Sequence, residues 1–169
     1  MSTWFFILCQ FSILAFALLS GVFLAFSDFI MRSLANTGGV GGIEAMQVIN
    51  REVFRYVFMI LFIGMAPISM LLAGYSFFTL SGPAATLIII AAATYLVAAF
   101  GVTVAFNVPL NEALDPMDLG SRATTRFWTE TYLPRWTFWN SVRAIACGLA
   151  AAILMFALLW MAQAKPFLA

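Results

Sequence analysis

Four stretches of this chain run for more than twenty residues with almost no charged side chain, at about Trp4–Ile30, Tyr56–Leu80, Pro83–Phe106 and Trp139–Met161. The first holds no charge before Asp28, the second and third hold none, and the fourth holds only Arg143 near its start. A helix of about 20 mostly apolar residues crosses the roughly 30 Å hydrocarbon core of a bilayer. The runs are continuous, without the alternation of a membrane β-barrel. The pattern predicts an all-α integral membrane protein, a four-helix bundle forming one domain over residues 1–169. No Lys or Arg precedes the first run, and it far exceeds the apolar core of a signal peptide, so it is read as a retained helix.

The segments between the runs set the topology. Leu80-Ser81-Gly82 is a tight connection, so the second and third helices form an antiparallel hairpin. The other two connections, about 31–55 and 107–138, are long and share one face. They carry Arg32, Arg51 and Arg55 in the first and Arg122, Arg126 and Arg135 in the second, against Lys165 alone on the opposite face. The positive-inside rule places both loops in the cytoplasm and both chain ends outside, in a bacterial inner membrane. Asn36-Thr37-Gly38-Gly39-Val40-Gly41-Gly42 reads as a flexible turn and lacks the Lys-Ser/Thr of a phosphate loop. Ile43–Arg55 follows as a short interfacial helix leading into the second span, with Met46, Ile49, Val53 and Phe54 on its apolar side. Pro109 is expected to kink or end the third helix, Arg122–Tyr132 to form a short helix, and Pro134 to start the fourth.

Composition narrows the chemistry. Hydrophobic residues make up 64% of the chain and charged ones 9%, against about 25% charged in soluble domains. A net charge of +1 offers no field for nucleic acid. The chain has no His, which excludes imidazole metal sites, imidazole haem ligation and Ser-His-Asp catalysis. Cys9 and Cys147 lie at depths roughly 10 Å apart on a 1.5 Å rise per residue, too far for a disulfide, and are read as packing residues.

Polar groups that do occur in or beside the spans gather in one third of the bundle, and such groups are functional-site candidates. Asp28 and Arg32 stand at i and i+4 and can pair. Extending that face outward passes Gly21, Ala17 and Gln10, small enough to suggest packing against other helices. The third helix brings Asn107, Asn111 and Glu112 around Pro109. On the fourth, taking Trp136 as zero at 100° per residue, Asn140 falls at about +40°, Arg143 at −20°, Cys147 at +20° and Trp139 at −60°. Asn50 and Gln47 approach from the interfacial helix. The plainer account makes the Trp and Tyr side chains, Tyr132 included, interface anchors and the arginines topology signals. Anchoring alone does not require an Asp, several Asn and an Arg at one depth.

The segments Phe26-Ser27-Asp28-Phe29, Met46-Gln47-x-x-Asn50, Asn107-Val108-Pro109-Leu110-Asn111 and Trp136-x-x-Trp139-Asn140-x-x-Arg143 occur in that order. Together, from about Gly21 to Gly148, they resemble the anthrone oxygenase-like family of small four-helix membrane proteins. The resemblance implies oxidation of an anthrone to a quinone by O2 without metal or flavin, hence no cofactor. That chemistry needs a base, donors for an oxyanion, and a flat water-poor slot. By residue chemistry Asp28 and Glu112 are the candidate bases, and Arg143 with Arg32 would face the oxyanion. Asn50, Asn107, Asn111 and Asn140 would orient substrate oxygens, with Trp136 and Trp139 stacking on its rings. The expected partners are the lipid bilayer, a hydrophobic small molecule and O2. The alternative is a non-catalytic membrane module binding a lipophilic ligand or a partner helix in the same cavity. A transporter fits least, since no inverted repeat and no midplane charge is visible.

Overall fold

The computed structural model describes residues 2–55 and 57–163. Tyr56, which heads the second expected span, and Lys165, the basic residue expected on the opposite face, lie outside them. The protein is an all-α four-helix bundle, 90% helical, with no strand among the described residues. Four helices are long and apolar enough to cross a membrane: α1 (Thr3–Ala35), α3 (Val57–Thr79), α4 (Pro83–Leu114) and α5 (Arg122–Gln163). A shorter helix, α2 (Gly41–Glu52), precedes α3 as the apolar pattern predicts, but a tight 3₁₀ turn at Val53–Arg55 separates the two.

The helices run well beyond the apolar stretches, and the expected loop 107–138 shrinks to a turn between Leu114 and Arg122. Pro109 does not end α4, and α5 begins well before Pro134, which was expected to start it. A helical proline removes one donor and collides with the carbonyl four residues earlier. For Pro109 that is Ala105 and for Pro134 it is Glu130, and each lies in a widened π turn, Thr103–Asn107 and Trp128–Tyr132. The wider turn makes room for the ring, so α4 continues through Pro109 and α5 through Pro134.

Packing is tightest away from the long connections. There α5 lies between α1 and α4, and its buried face is mostly small, with Ala144, Ala146, Cys147, Ala150, Ala151 and Ala157 beside the larger Leu154 and Leu158. The hydroxyl of Ser20 donates to the Ala144 carbonyl at 2.8 Å and stands 3.2 Å from where a Gly148 side chain would begin. Small residues let helix backbones approach in lipid, where apolar burial does not drive association. Cys9 and Cys147 are free and buried in this packing.

The buried side of α1 is Phe5, Cys9, Ser12, Phe16, Leu19 and Phe23. Gln10, Ala17, Gly21 and Asp28 are exposed, so the small-residue face expected to pack looks outward instead. A third π turn, Phe26–Ile30, adds a residue to α1 and breaks the i,i+4 geometry that would join Asp28 to Arg32. The ion pairs among the described residues are Arg51–Asp115, Arg55–Glu52 and Arg126–Glu130.

Two glycines test this packing in opposite ways. A side chain at Gly42 would begin 2.0 Å from the Leu34 carbonyl oxygen, whereas one at Gly21 meets nothing within 4 Å. Gly42→Ala is expected to cost about 1–3 kcal/mol by overpacking. Gly21→Ala is expected to be neutral or to stabilise by up to about 1 kcal/mol through helix propensity. Melting temperatures in detergent measure both, and equal effects would contradict the packing described.

Candidate functional site

At the end of the bundle that carries the long connections, the helices part around a cavity of about 310 Å³. That is the lower end of the range for small-ligand sites, suited to a compact or flat molecule. Its walls are mainly apolar, with Phe23 and Phe26 from α1, Met46 and Ile49 from α2, and Phe58 and Phe62 from α3. Five polar side chains reach it: Asn50, Thr103, Asn111, Asn140 and Arg143.

Arg143 dominates the floor. It is 6% exposed, and its guanidinium lies 4.3 Å from the Phe23 ring centre and 5.3 Å from that of Trp136. One terminal nitrogen donates to Asn140 Oδ1 at 2.7 Å and the other to Thr103 Oγ1 at 3.2 Å. The Nε has no partner among the described residues. Neutral acceptors and two aromatic faces offset part of the desolvation of a buried cation, on the order of 1–2 kcal/mol for each face. No carboxylate from the described residues lines the cavity. The site is therefore electropositive and short of an anion.

Asn140 holds this cation in place. Its amide nitrogen donates to the Phe23 carbonyl and to Ser27 Oγ, both at 2.6 Å. With the nitrogen committed, the amide oxygen is forced toward Arg143 and cannot flip. Ser141 also donates to Ser27, at 2.9 Å, tying α5 to α1 beside the same turn.

A second polar pole stands on the other side of Trp136. Asn111 Oδ1 accepts from the Tyr132 hydroxyl and from Trp136 Nε1, each at 2.8 Å. Tyr132 in turn accepts from the Asn50 amide nitrogen at 3.2 Å. The two bonds to its oxygen leave the Asn111 NH₂ as the group free to meet a ligand. Trp128, Tyr132 and Trp136 stack at successive turns of α5, with centroids 5.3 and 6.3 Å apart, and form one rigid aromatic wall. α2 is fastened to α4 by Gln47, which donates to the Leu114 and Met117 carbonyls, and by the Arg51–Asp115 pair.

Of the residues expected from sequence, Asn50, Asn111, Trp136, Asn140 and Arg143 come together here. Asn107 is buried between α4 and α5 with its nitrogen on the Trp136 carbonyl at 3.2 Å, outside the cavity. Trp139 sits at the edge of the stripe and stacks on Phe106 at 3.7 Å instead. Asp28 is exposed, and Arg32 lines a separate cleft with Ser27 and Ser141. Glu112 is exposed in an outer cleft with Arg51 and Asp115, which shares Asn50, Phe54, Val108 and Asn111 with the cavity wall. Sequence reasoning missed Thr103 and treated Tyr132 as a lipid anchor. A sequence clue existed for both: Thr103 lies one turn before Asn107, and Tyr132 one turn before Trp136. Among the described residues no three of Cys, Asp and Glu gather in a metal-binding group, so the donors offered are amides, hydroxyls and a guanidinium.

Tyr132 joins three helices through one hydroxyl. Tyr132→Phe is expected to destabilise the protein by about 1–2 kcal/mol, the range for a buried hydrogen bond lost with its partners left behind. Thermal melting in detergent reads it, and an unchanged midpoint would show that this hydroxyl does not hold the amides.

The family model described as Anthrone oxygenase matches residues 51–153, which carry Thr103, Asn111, Tyr132, Trp136, Asn140 and Arg143. No curated protein and no solved structure matches the chain. Matched over more than half its length, and folded with four helices long and apolar enough to cross a membrane, the chain belongs to the anthrone oxygenase family.

Proposed function

We propose that the protein oxidises a flat hydrophobic phenol or anthrone to a quinone with O2, using no bound cofactor. The observation that carries this reading is Arg143, a buried cation on the floor of an aromatic cavity with no carboxylate beside it among the described residues. An anthrone methylene lies between two aryl rings and is conjugated through them to the carbonyl, so its anion places negative charge on the carbonyl oxygen. A guanidinium at that oxygen favours the anion over the neutral substrate and lowers the barrier to proton loss.

The chemistry balances with O2 alone. The anion gives one electron to O2, the resulting radical and superoxide combine at the former methylene carbon, and the peroxide takes up a proton. Loss of water from that hydroperoxide breaks the O–O and the remaining C–H bond, so anthrone plus O2 becomes quinone plus water. Trp136 and Phe23 would hold the rings, and the Asn111 amide would meet a second oxygen. Thr103 and Asn140 keep Arg143 oriented. Glu112 is the better placed of the two candidate bases, because its cleft adjoins the cavity at Asn50 and Asn111 and a water there could pass on the proton. Asp28 and Arg32, exposed on α1 away from the cavity, would then have no part in it.

Oxygen uptake by the purified protein given an anthrone, with quinone absorbance rising in equal amount, tests the reading. Arg143→Gln is expected to lower turnover roughly 10²–10³-fold, the scale of losing one preorganised oxyanion donor. Arg143→Lys should restore only part, since an ammonium lacks the planar fork. Full turnover in the Gln variant would overturn the role. Binding of anthrone without oxygen uptake would favour the non-catalytic ligand-binding module.

We also infer that the cavity end faces the cytoplasm of a bacterial inner membrane, with both chain ends outside. Arg32, Arg51, Arg55, Arg122, Arg126 and Arg135 all lie at that end of the sequence pattern. A reporter fused after Ala169 is expected to be active only outside the cytoplasm, and cytoplasmic activity would reverse the orientation.

A further inference from the structure

The cavity is polar at its floor and apolar at its rim. Thr103, Asn140 and Arg143 are buried, whereas the exposed members of the wall are Val22 on α1 and Phe54 just before α3, with Phe58 and Met59 half-buried between. The level of this rim follows from the charges around it. Phe54 adjoins Arg55, at the depth of the headgroups. Val22 lies six residues inward of Asp28 and ten inward of Arg32, roughly 9 and 15 Å at 1.5 Å per residue. Val22 is 40% exposed and Phe54 64% exposed. In a bilayer the Val22 side chain meets acyl chains rather than water, whereas Phe54 also lines the charged cleft of Arg51, Glu112 and Asp115. The cleft on the water side, by contrast, carries Glu112, Arg51 and Asp115, and meets the cavity along Asn50, Phe54, Val108 and Asn111.

We propose that the opening beside Val22 is a port to the lipid, and that the ligand is an aromatic molecule with an ionisable oxygen at one end and an apolar tail at the other. The oxygen meets Arg143 on the floor, and the tail leaves past Val22, Phe58 and Met59 into the acyl chains. A cavity of about 310 Å³ holds the ring system and leaves a long tail no room inside. The tail thus stays in hydrocarbon both before and after binding, and its length neither helps nor hinders. The proposal rests on the same cavity as the oxidation above but not on the oxidation itself.

The test uses the full chain in phosphatidylcholine vesicles and two anthraquinone probes: unsubstituted and with an octyl chain. Binding is read by quenching of tryptophan fluorescence and expressed against the probe's mole fraction in the lipid. Oxygen uptake with the corresponding anthrones is measured on the same vesicles. The expected result is that the octyl and unsubstituted probes bind within about threefold of each other. Val22→Trp should weaken the octyl probe at least tenfold and the unsubstituted probe less than threefold, while Ile60→Trp, at an exposed position away from the cavity wall, changes neither. A tail forced into water would instead cost more than a thousandfold on the usual hydrophobic scale. A large loss with the octyl chain, equal effects of Val22→Trp on both probes, or no binding of any probe would each overturn the port. Binding in the expected pattern without oxygen uptake would uphold the port and remove the oxygenase reading.

Discussion

A guanidinium buried at the level of the lipid tails, with no carboxylate beside it among the described residues, is the constraint around which this end of the bundle is built. The protein meets it with neutral groups: Asn140 and Thr103 accept from the terminal nitrogens, and Phe23 and Trp136 face the cation. Each of those is fixed in turn. Asn140 is locked by the Phe23 carbonyl and Ser27, at the point where α1 changes from ordinary α pairing to the wider π turn at Phe26–Ile30. Such a change of pairing opens a main-chain acceptor to a side chain from a neighbouring helix. Trp136 is locked by Asn111, and Asn111 by Tyr132. The arrangement secures the cation while leaving its charge uncancelled, which is the condition for binding an anion that forms only on reaction.

How much of this was legible in the sequence depends on whether a feature is local. The four spans were, because a hydrophobic run of membrane length is its own signal. The stripe Trp136, Asn140, Arg143 and Cys147 was legible too, since α5 is regular from Leu133 onward and the 100° rule holds along it. It failed at its edge, where Trp139 found Phe106 on another helix. The face of α1 was misread for a different reason. Small residues at Gly21 and Ala17 look like a packing surface, yet Phe5, Phe16, Leu19 and Phe23 on the other side have more to bury. A π turn carries no composition signal that simple periodicity detects. Its one-residue slip displaced Asp28 from the pairing assigned to it. Tyr132 and Thr103 were missed for a third reason: their spacing from Trp136 and Asn107 hints at a shared face, but their importance lies in partners on other helices, 21 and 40 residues away in the chain.

The two ends of the bundle solve opposite problems. Where Ala, Gly and Ser line α1, α4 and α5, the backbones close on each other and buried side chains leave little empty space. Toward the other end three π turns, at Phe26–Ile30, Thr103–Asn107 and Trp128–Tyr132, lie on helices that surround the cavity, and a fourth, Tyr95–Gly101, lies within the packed core. These widened turns also accommodate Pro109 and Pro134 without ending the helices, so the walls continue past the membrane-length stretches and meet α2. Both a void and an unpaired charge are destabilising in isolation. Their cost is met by the close-packed end, which carries none of the five polar side chains of the cavity. A variant that filled the void or replaced Arg143 with a well-packed apolar residue could therefore be the more stable protein and the poorer one at its task. Stability alone cannot explain why this end is open and charged, and that asymmetry is what supports the proposal that the cavity takes a ligand.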